Sequence, residues 1–508
     1  MADTATRDGG AMVADAASVG EAVRAARAAQ ADWARTPLAE RAARGRALSR
    51  LLAERSDEIA RVIHDAMGKT LVDAMATEVV PASLAASYYA RIAPRVLGPR
   101  RVHRSSVFFA TKATRLTRVP FGVVAIISPW NYPFGIPFHE VVQALLSGNA
   151  VMLKPATQAM AVGEAILRLV RDAGFPEGLL RLVRLPGAAA SEALLEAGVD
   201  KIFFTGSTDA GRRIAERAAE KLVPVVLELG GSDAMIVLDD ASIERAAAGA
   251  LWAGMSNAGQ SCAGVQRVLV EEPVRERFVK EIAAQAARLR SGGAELDTDM
   301  GPMANPAQKE RVEEAVRQAE ARGARVVARV GSTDGLYHPA VVLDGVNGSM
   351  AVLNDEVFGP VIAVVPVSGD DEAVSVANAS RYGLTASVWS RDRRRAERIA
   401  GQLLVGTVMI NDHMMSHGMA EVPWGGFRDS GSGRSHGEAG FLEMTRERAV
   451  IGELLSRAPR ALWWYPYDRA LYDGLASAIK LLHGRGLGKR LRAAGSVARM
   501  IMRTFRRS

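Results

Sequence analysis

The chain is poor in cysteine: Cys262 is the only one among its 508 residues. A single thiol excludes any disulfide within the chain and any multi-thiolate metal site. Long hydrophobic runs are equally scarce. Charges, Gly or Pro interrupt every apolar stretch before it reaches the ~18 residues that a membrane crossing requires. Residues 1–20 carry acidic side chains and no apolar segment resembling a secretion signal, so the expectation is a reducing, cytosolic setting. Most of the chain also lacks a basic excess, although the total formal charge is +8. Residues 455–508 hold 12 Lys and Arg against Asp468 and Asp473, a net of +10, which leaves about −2 for the remainder. The body offers no electrostatic footprint for nucleic acid, and none is expected as a partner.

Two further absences narrow the reading. No internal repeat or low-complexity linker divides the body. No G-x-G-x-x-G follows an early strand, so the common dinucleotide fingerprint is missing. A metal is not expected either. The only i, i+4 histidine pair, His413 and His417 after Asp412, falls in a loop rather than on a helix, and these two with His436 are read as surface or pocket residues.

The residues that are present build cores. At 48% hydrophobic content, a chain of this length supports two or three domains. From Ser18 to about Leu97, apolar positions such as Leu48, Leu51, Leu52, Ile59 and Val62 recur at helical spacing. Residues 101–120 change character, with Val107, Phe108 and Phe109 among alternating Arg, Ser and Thr, which predicts the strands of a hairpin arm. Short β-branched runs then alternate with helical patterns. Val123–Ser128, Ala150–Lys154, Lys201–Thr205 and Val223–Leu229 predict a parallel, doubly wound sheet with helices such as Glu140–Ser147 and Ala161–Ala173. A second alternation to about Asn411, with runs at Met235–Leu238, Arg267–Val270, Val361–Val365 and Thr407–Ile410, predicts a second α/β domain.

Chemistry concentrates in a few segments. Small neighbours surround Cys262 in Asn257–Gly264, as a nucleophile approached by substrate requires; the plain alternative is a small buried hydrophobe. Glu228 ends a strand on Gly230 and Gly231 and is a candidate general base, or else an ordinary strand-end carboxylate. Prolines fix the turn Pro129–Pro133, so the Asn131 amide would point into a cleft, or serve its own turn. Phe203–Gly211 reads as strand, glycine turn and helix start, the geometry that offers N–H groups to a phosphate.

Seven segments in order resemble the aldehyde dehydrogenase superfamily: Pro129–Pro133, Gly148–Pro155, Phe204–Gly206, Glu228–Gly231, Gln260–Cys262, Glu356–Pro360 and Pro423–Phe427. The similarity runs from about Gly20 to about Glu453. It implies an α/β fold with a Rossmann-like cofactor-binding domain (1–100 and 121–229), a catalytic α/β domain (230–430) and a β-hairpin oligomerisation arm (101–120 plus about 440–454), hence a homodimer or homotetramer. It implies oxidation of an aldehyde to a carboxylic acid. Cys262 would attack the carbonyl, Asn131 and the Cys262 backbone N–H would hold the oxyanion, and Glu228 would activate the water that hydrolyses the thioester. Glu228 also favours hydrolysis over transfer to coenzyme A. For NAD or NADP, the resemblance places Lys154 at the adenosine ribose, Trp130 and Ser207 near the pyrophosphate beside the Gly206 turn, and Glu356 with Phe358 at the nicotinamide ribose. Family members strict for NAD often carry Glu three positions after the lysine. Here Thr157 stands there and would not repel a 2′-phosphate, so NADP stays open with NAD slightly ahead.

The resemblance leaves residues 455–508 unmatched. Leu462–Tyr467 packs four aromatics, and Leu471, Leu475, Ile479 and Leu482 follow at helical spacing. Further on, Arg492, Arg499, Arg503, Arg506 and Arg507 share a sector roughly opposite Leu487, Val497, Ile501 and Phe505. This basic amphipathic extension would adsorb to an anionic membrane surface, or dock on the body or a subunit interface with solvated arginines. The alternative to an enzyme is a catalytically silent fold member acting as a scaffold or membrane-surface protein through this tail. Aliphatic, aromatic and semialdehyde substrates all remain open.

Overall fold

The computed structural model describes residues 12–104, 106–485 and 487–505. The first residues of the stretch read for a secretion signal, 1–11, lie outside them, as do Arg506 and Arg507 and the side chains of Leu487 and Arg492. Two compact units result: residues 12–98 with 118–446, and residues 99–117 with 447–505.

The larger unit contains two seven-stranded sheets. The first runs Met12–Val13, Leu180–Val183, Ala150–Lys154, Val123–Ile127, Lys201–Thr205 and Val225–Glu228, all parallel, and ends on a short antiparallel strand, Gly431–Ser432. Its central strands are buried on both faces because helices cover both, which is why they read as unbroken apolar runs and not as alternations. The helices Ala16–Trp33, Gly135–Ser147, Met160–Asp172 and Thr208–Glu220 belong to this layer. After Val123–Ile127 the chain adds strands on one side, then returns to add Lys201–Thr205 on the other. A crevice forms beyond the carboxyl ends of the two strands at such a reversal.

The second sheet runs Arg325–Val330, Ala340–Asp344, Val361–Val367, Val265–Glu271, Asp233–Val237, Thr385–Trp389 and Thr407–Ile410. Only its edge strand Arg325–Val330 is antiparallel. Both runs of alternating elements expected from the sequence are present, as α/β layers with separate hydrophobic cores. The chain crosses from one sheet to the other through Leu229–Ser232, directly after Glu228.

In the smaller unit Arg100–Val102 pairs antiparallel with Lys112–Pro120, whose other edge carries Thr445–Glu453. The triple Val107–Phe109, expected in a strand, forms a 3-10 turn between the strands. Three consecutive apolar residues cannot alternate across an exposed ribbon, and Phe108 and Phe109 instead approach the Trp463 ring, each at 6.3 Å. Two helices follow, Arg469–His483 and Leu487–Met502. The Asp468 carboxylate caps the first by accepting the Leu471 N–H (2.8 Å). Gly474 lets Met500 approach, leaving Leu471, Ala478 and Met500 buried in the seam between the helices. One expectation fails here: Arg503 is buried, not solvated. Its guanidinium donates to the Asp468 carboxylate (2.9 Å) and to the carbonyls of Leu462, Trp464 and Pro466. A cation in that position satisfies the carbonyls of an irregular aromatic segment that would otherwise lack donors.

Candidate active site

Cys262 lies on a strained turn between the helix Ile243–Met255 and the strand Val265–Glu271. Asn257, Ala258 and Gly259 have φ of 53°, 54° and 67°. The left-handed region costs a non-glycine residue about 1–2 kcal/mol. Hydrogen bonds offset that cost. The Asn257 amide donates to the carbonyls of Asn131 (2.8 Å) and Gln260 (3.2 Å), while the Asp73 carboxylate accepts from the Asn257 N–H (2.6 Å) and the Ser256 hydroxyl (2.7 Å). The turn leaves Cys262 partly exposed where three cavities meet.

The first cavity occupies the crevice beyond the reversal in strand order. It brings together Trp130, Asn131, Gly206 and Ser207 from the first sheet with Cys262, Glu356 and Phe358 from the second. Asn131 is buried, and its amide donates to the Gln260 carbonyl (3.1 Å), which holds it on the Cys262 side of the crevice. The Gly206 N–H donates to the Glu228 carbonyl (3.0 Å), and Ser207 caps the helix Thr208–Glu220, whose amino end opens here. Glu356 accepts the Gly231 N–H (3.0 Å), and its other oxygen stands where a β-carbon on Gly230 would be 2.5 Å away. Burial pushes the Glu356 carboxyl up to about 7. The Phe358 ring meets Trp130 edge-on at 5.5 Å. Lys154 ends the neighbouring strand and Thr157 follows it, and neither lines this cavity. The Ser128 N–H donates to the Lys154 carbonyl (3.0 Å), so the lysine begins beside the same crevice. Its ammonium has no hydrogen-bond or ion-pair partner among the described residues, and burial lowers its pKa; Thr157 is exposed. An uncommitted cation, a helix amino end and two opposed aromatic rings fit a dinucleotide.

The second cavity is an apolar passage ending on Cys262. The third is a narrow pocket holding Glu228. That carboxyl is 4% exposed, and neither oxygen has a hydrogen-bond partner among the described residues. Burial first, then the charge of Glu140, raise its pKa well above the carboxylate range, with Arg434 opposing. The Cys262 thiol is likewise pushed up by burial and by the carboxyls of Glu356, Asp233 and Glu228. A thiol so placed needs a nearby proton acceptor before it can attack.

Glu140 is a site residue that the sequence reading passed over. It sits in the same pocket as Glu228 and Cys262, burial pushes it up to about 8, and one of its oxygens lacks a partner. The signal was present: Glu140 is the one acid in Gly135–Ser147, a helix buried at every position. Three imidazoles adjoin it. His139 and His436 stack at 4.1 Å, His417 meets His436 at 4.9 Å, and burial holds all three below the usual histidine range, His417 at about 4. His417 and His436 are pocket residues. His413 is neither surface nor pocket: it is a core residue whose Nδ1 lies 2.7 Å from the Ser387 hydroxyl.

Known proteins match this arrangement. A sequence profile of the aldehyde dehydrogenase family covers residues 4–450. The chain is 36% identical over 452 residues to a 4,4'-diapolycopene aldehyde oxidase of Methylomonas sp, covering 89% of this chain and 84% of that protein. It is 37% identical over 444 residues to a putative NADP(+) succinate-semialdehyde dehydrogenase of Mycolicibacterium smegmatis, covering 86% and 85%. Among solved structures, an NAD-dependent aldehyde dehydrogenase from Sinorhizobium meliloti superposes with a TM-score of 0.83 at 33% identity over 89% of each chain. Relatives named for oxidising aldehydes do not favour the reading as a catalytically silent scaffold.

Proposed function

The chain belongs to the aldehyde dehydrogenase family, and from that premise we propose that Cys262, Asn131 and Glu228 carry its reaction. The enzyme oxidises an aldehyde to a carboxylic acid with NAD or NADP. The observation that carries the assignment is the position of Cys262, whose residue lines the crevice, the apolar passage and the Glu228 pocket at once.

The Cys262 thiol passes its proton to solvent water reaching it through the cavities it lines, its sulfur bonds to the aldehyde carbon, and the carbonyl π electrons move onto oxygen. Asn131 and the Cys262 backbone N–H stabilise that oxyanion with donors already oriented. Trp130, Gly206, Ser207, Glu356 and Phe358 would hold an oxidised dinucleotide, with Lys154 and Thr157 toward its adenosine end, and that group would supply the hydride acceptor. Loss of hydride leaves a thioester on Cys262. Glu228 takes a proton from a water molecule whose oxygen attacks that thioester carbon, and the sulfur leaves as the acid is released. The burial that raises the Glu228 pKa makes its carboxylate a stronger proton acceptor than an exposed one.

The division of labour follows the sheets: cofactor binding by 1–100 and 121–229, catalysis by 230–430. Residues 101–120 and about 440–454 form an arm that joins subunits into a homodimer or homotetramer, with the exposed strand Thr445–Glu453 as the free edge. Beyond it, exposed Trp464, Tyr465, Ile479, Ile501 and Phe505 accompany a basic excess, while the seam between the two tail helices is already filled. We infer that this tail adsorbs to an anionic membrane surface from the cytoplasmic, reducing side. Among the described residues no helix is long and apolar enough to cross a membrane.

Two variants test the chemistry. Cys262→Ser abolishes aldehyde-dependent NAD(P)H formation. Glu228→Gln gives a burst of about one NAD(P)H per site and then stalls, because the thioester still forms but its hydrolysis has lost the base. Full turnover in Cys262→Ser would overturn the assignment.

A further inference from the structure

We propose that the enzyme's substrates are aldehydes with an uncharged apolar tail, and that the passage ending on Cys262 selects against carboxylated and quaternary-ammonium aldehydes. The inference rests on the reading of Cys262 as the nucleophile and adds the substrate class.

Among the described residues, no Lys, Arg, Asp or Glu lines the passage. Its walls are carried by Pro81, Ile136, Trp252, Met414, Met415 and Trp424. The polar groups along it are few and neutral. The Thr77 hydroxyl already donates to the Asp73 carbonyl (2.7 Å). His417, between Trp424 and Tyr132, is held uncharged by burial and by the neighbouring Lys69.

The cation behind the Tyr132 wall of the passage, Lys69, is unavailable to an anionic substrate. Lys69 is fully buried and donates to Glu78 (2.7 Å), whose second oxygen accepts the N–H groups of Phe134 (2.8 Å) and Gly135 (2.9 Å). The same lysine disfavours a cationic tail. Its ammonium lies 4.0 Å from the centroid of the Tyr132 ring, so a ring that would cage a quaternary ammonium already faces a positive charge. A carboxylated tail would therefore lose hydration with no counter-charge, and a trimethylammonium tail would lose hydration with no carboxylate in the passage and with one face of the Tyr132 ring already taken by Lys69. An alkyl tail loses nothing, and the thioethers of Met414 and Met415 adapt to its shape. Trp252 is 42% exposed and Met415 46%, placing them at the outer end of the passage, where a longer chain continues to gain contact.

The test compares kcat/KM of the full-length protein for propanal, hexanal, octanal and decanal with that for succinate semialdehyde and betaine aldehyde, using both NAD and NADP. Each added methylene should raise kcat/KM about fourfold until the passage is filled, the fold-change that burial of one CH₂ corresponds to. Octanal should exceed succinate semialdehyde by on the order of a hundredfold, the consequence of an unpaired buried carboxylate. Trp252→Arg, at an exposed position that tolerates the change, should lower the value for octanal and raise that for succinate semialdehyde. If succinate semialdehyde or betaine aldehyde matches octanal, the substrate class is wrong while the Cys262 chemistry stands. If no aldehyde in the series yields NAD(P)H, both are wrong.

Discussion

The carbonyl oxygen of Cys262 lies 2.1 Å from the point that a β-carbon on Gly231 would occupy. The crossing between the two sheets thus passes flush against the backbone of the reactive turn. The Gly231 N–H is also the donor that orients Glu356 (3.0 Å). Gly231→Ala must push the Cys262 turn outward. We expect a fold retained by circular dichroism and kcat reduced on the order of a hundredfold, the cost of displacing reacting groups by about 1 Å. Wild-type kcat in a folded variant would show that the turn yields without consequence.

Glu140 and Glu228 share a pocket, and two buried carboxyls cannot readily both ionise there. The charge of Glu140 raises the pKa of Glu228, so Glu140→Gln should lower it and shift the acid limb of thioester hydrolysis to lower pH. A pH profile of steady-state kcat, alongside the burst of the first turnover, separates this effect from a packing defect, which would lower the plateau without moving the limb.

The same residue ties stability to pH. The Glu140 carboxyl rises from 4.5 to about 8 on folding, so between those values the native state holds a proton that the unfolded chain has lost. Its contribution is neutral below the lower value, and relative stability is lost progressively as pH rises toward the upper one. Glu140→Gln should accordingly raise Tm more at pH 8.5 than at pH 5. An equal change at both pH values would contradict the raised pKa.

Lys154 is uncommitted and Thr157 is exposed beside it. Placing a carboxylate there sets like charge against a 2′-phosphate, worth roughly 1–4 kcal/mol at about 4 Å in the dielectric of a protein surface. Thr157→Glu should lower kcat/KM for NADP by about tenfold or more and leave NAD nearly unchanged. Equal losses with both cofactors would place the adenosine ribose elsewhere.

Truncation after Glu453 should abolish flotation with vesicles rich in anionic lipid and leave oxidation of a water-soluble aldehyde intact. Equal flotation with and without the tail removes the membrane role. If truncation instead changes the oligomer size seen by light scattering, the tail is a subunit contact.

The seven family segments and the two runs of alternating strands and helices were legible in the residues, because parallel strands covered on both faces appear as unbroken apolar runs and turn glycines mark their ends. Asn131 and Glu228 stood out because each follows or ends such a run in a motif of rigid or small residues, and Cys262 because it precedes one among small residues. Strands such as Arg325–Val330 and Thr385–Trp389 did not stand out. Their patterns are short or mixed, and only pairing with neighbours distant in the chain makes them strands.

What the sequence determined by itself was the family, and with it the type of reaction, since those depend on local segments kept in order. The tertiary structure alone decided that Glu140 faces the Glu228 pocket, that His413 is core, that Arg503 is buried and that the passage to Cys262 carries no charge. Each of these depends on which distant side chains close around a group and exclude water from it, and burial of that kind has no signature in the residues flanking the group along the chain.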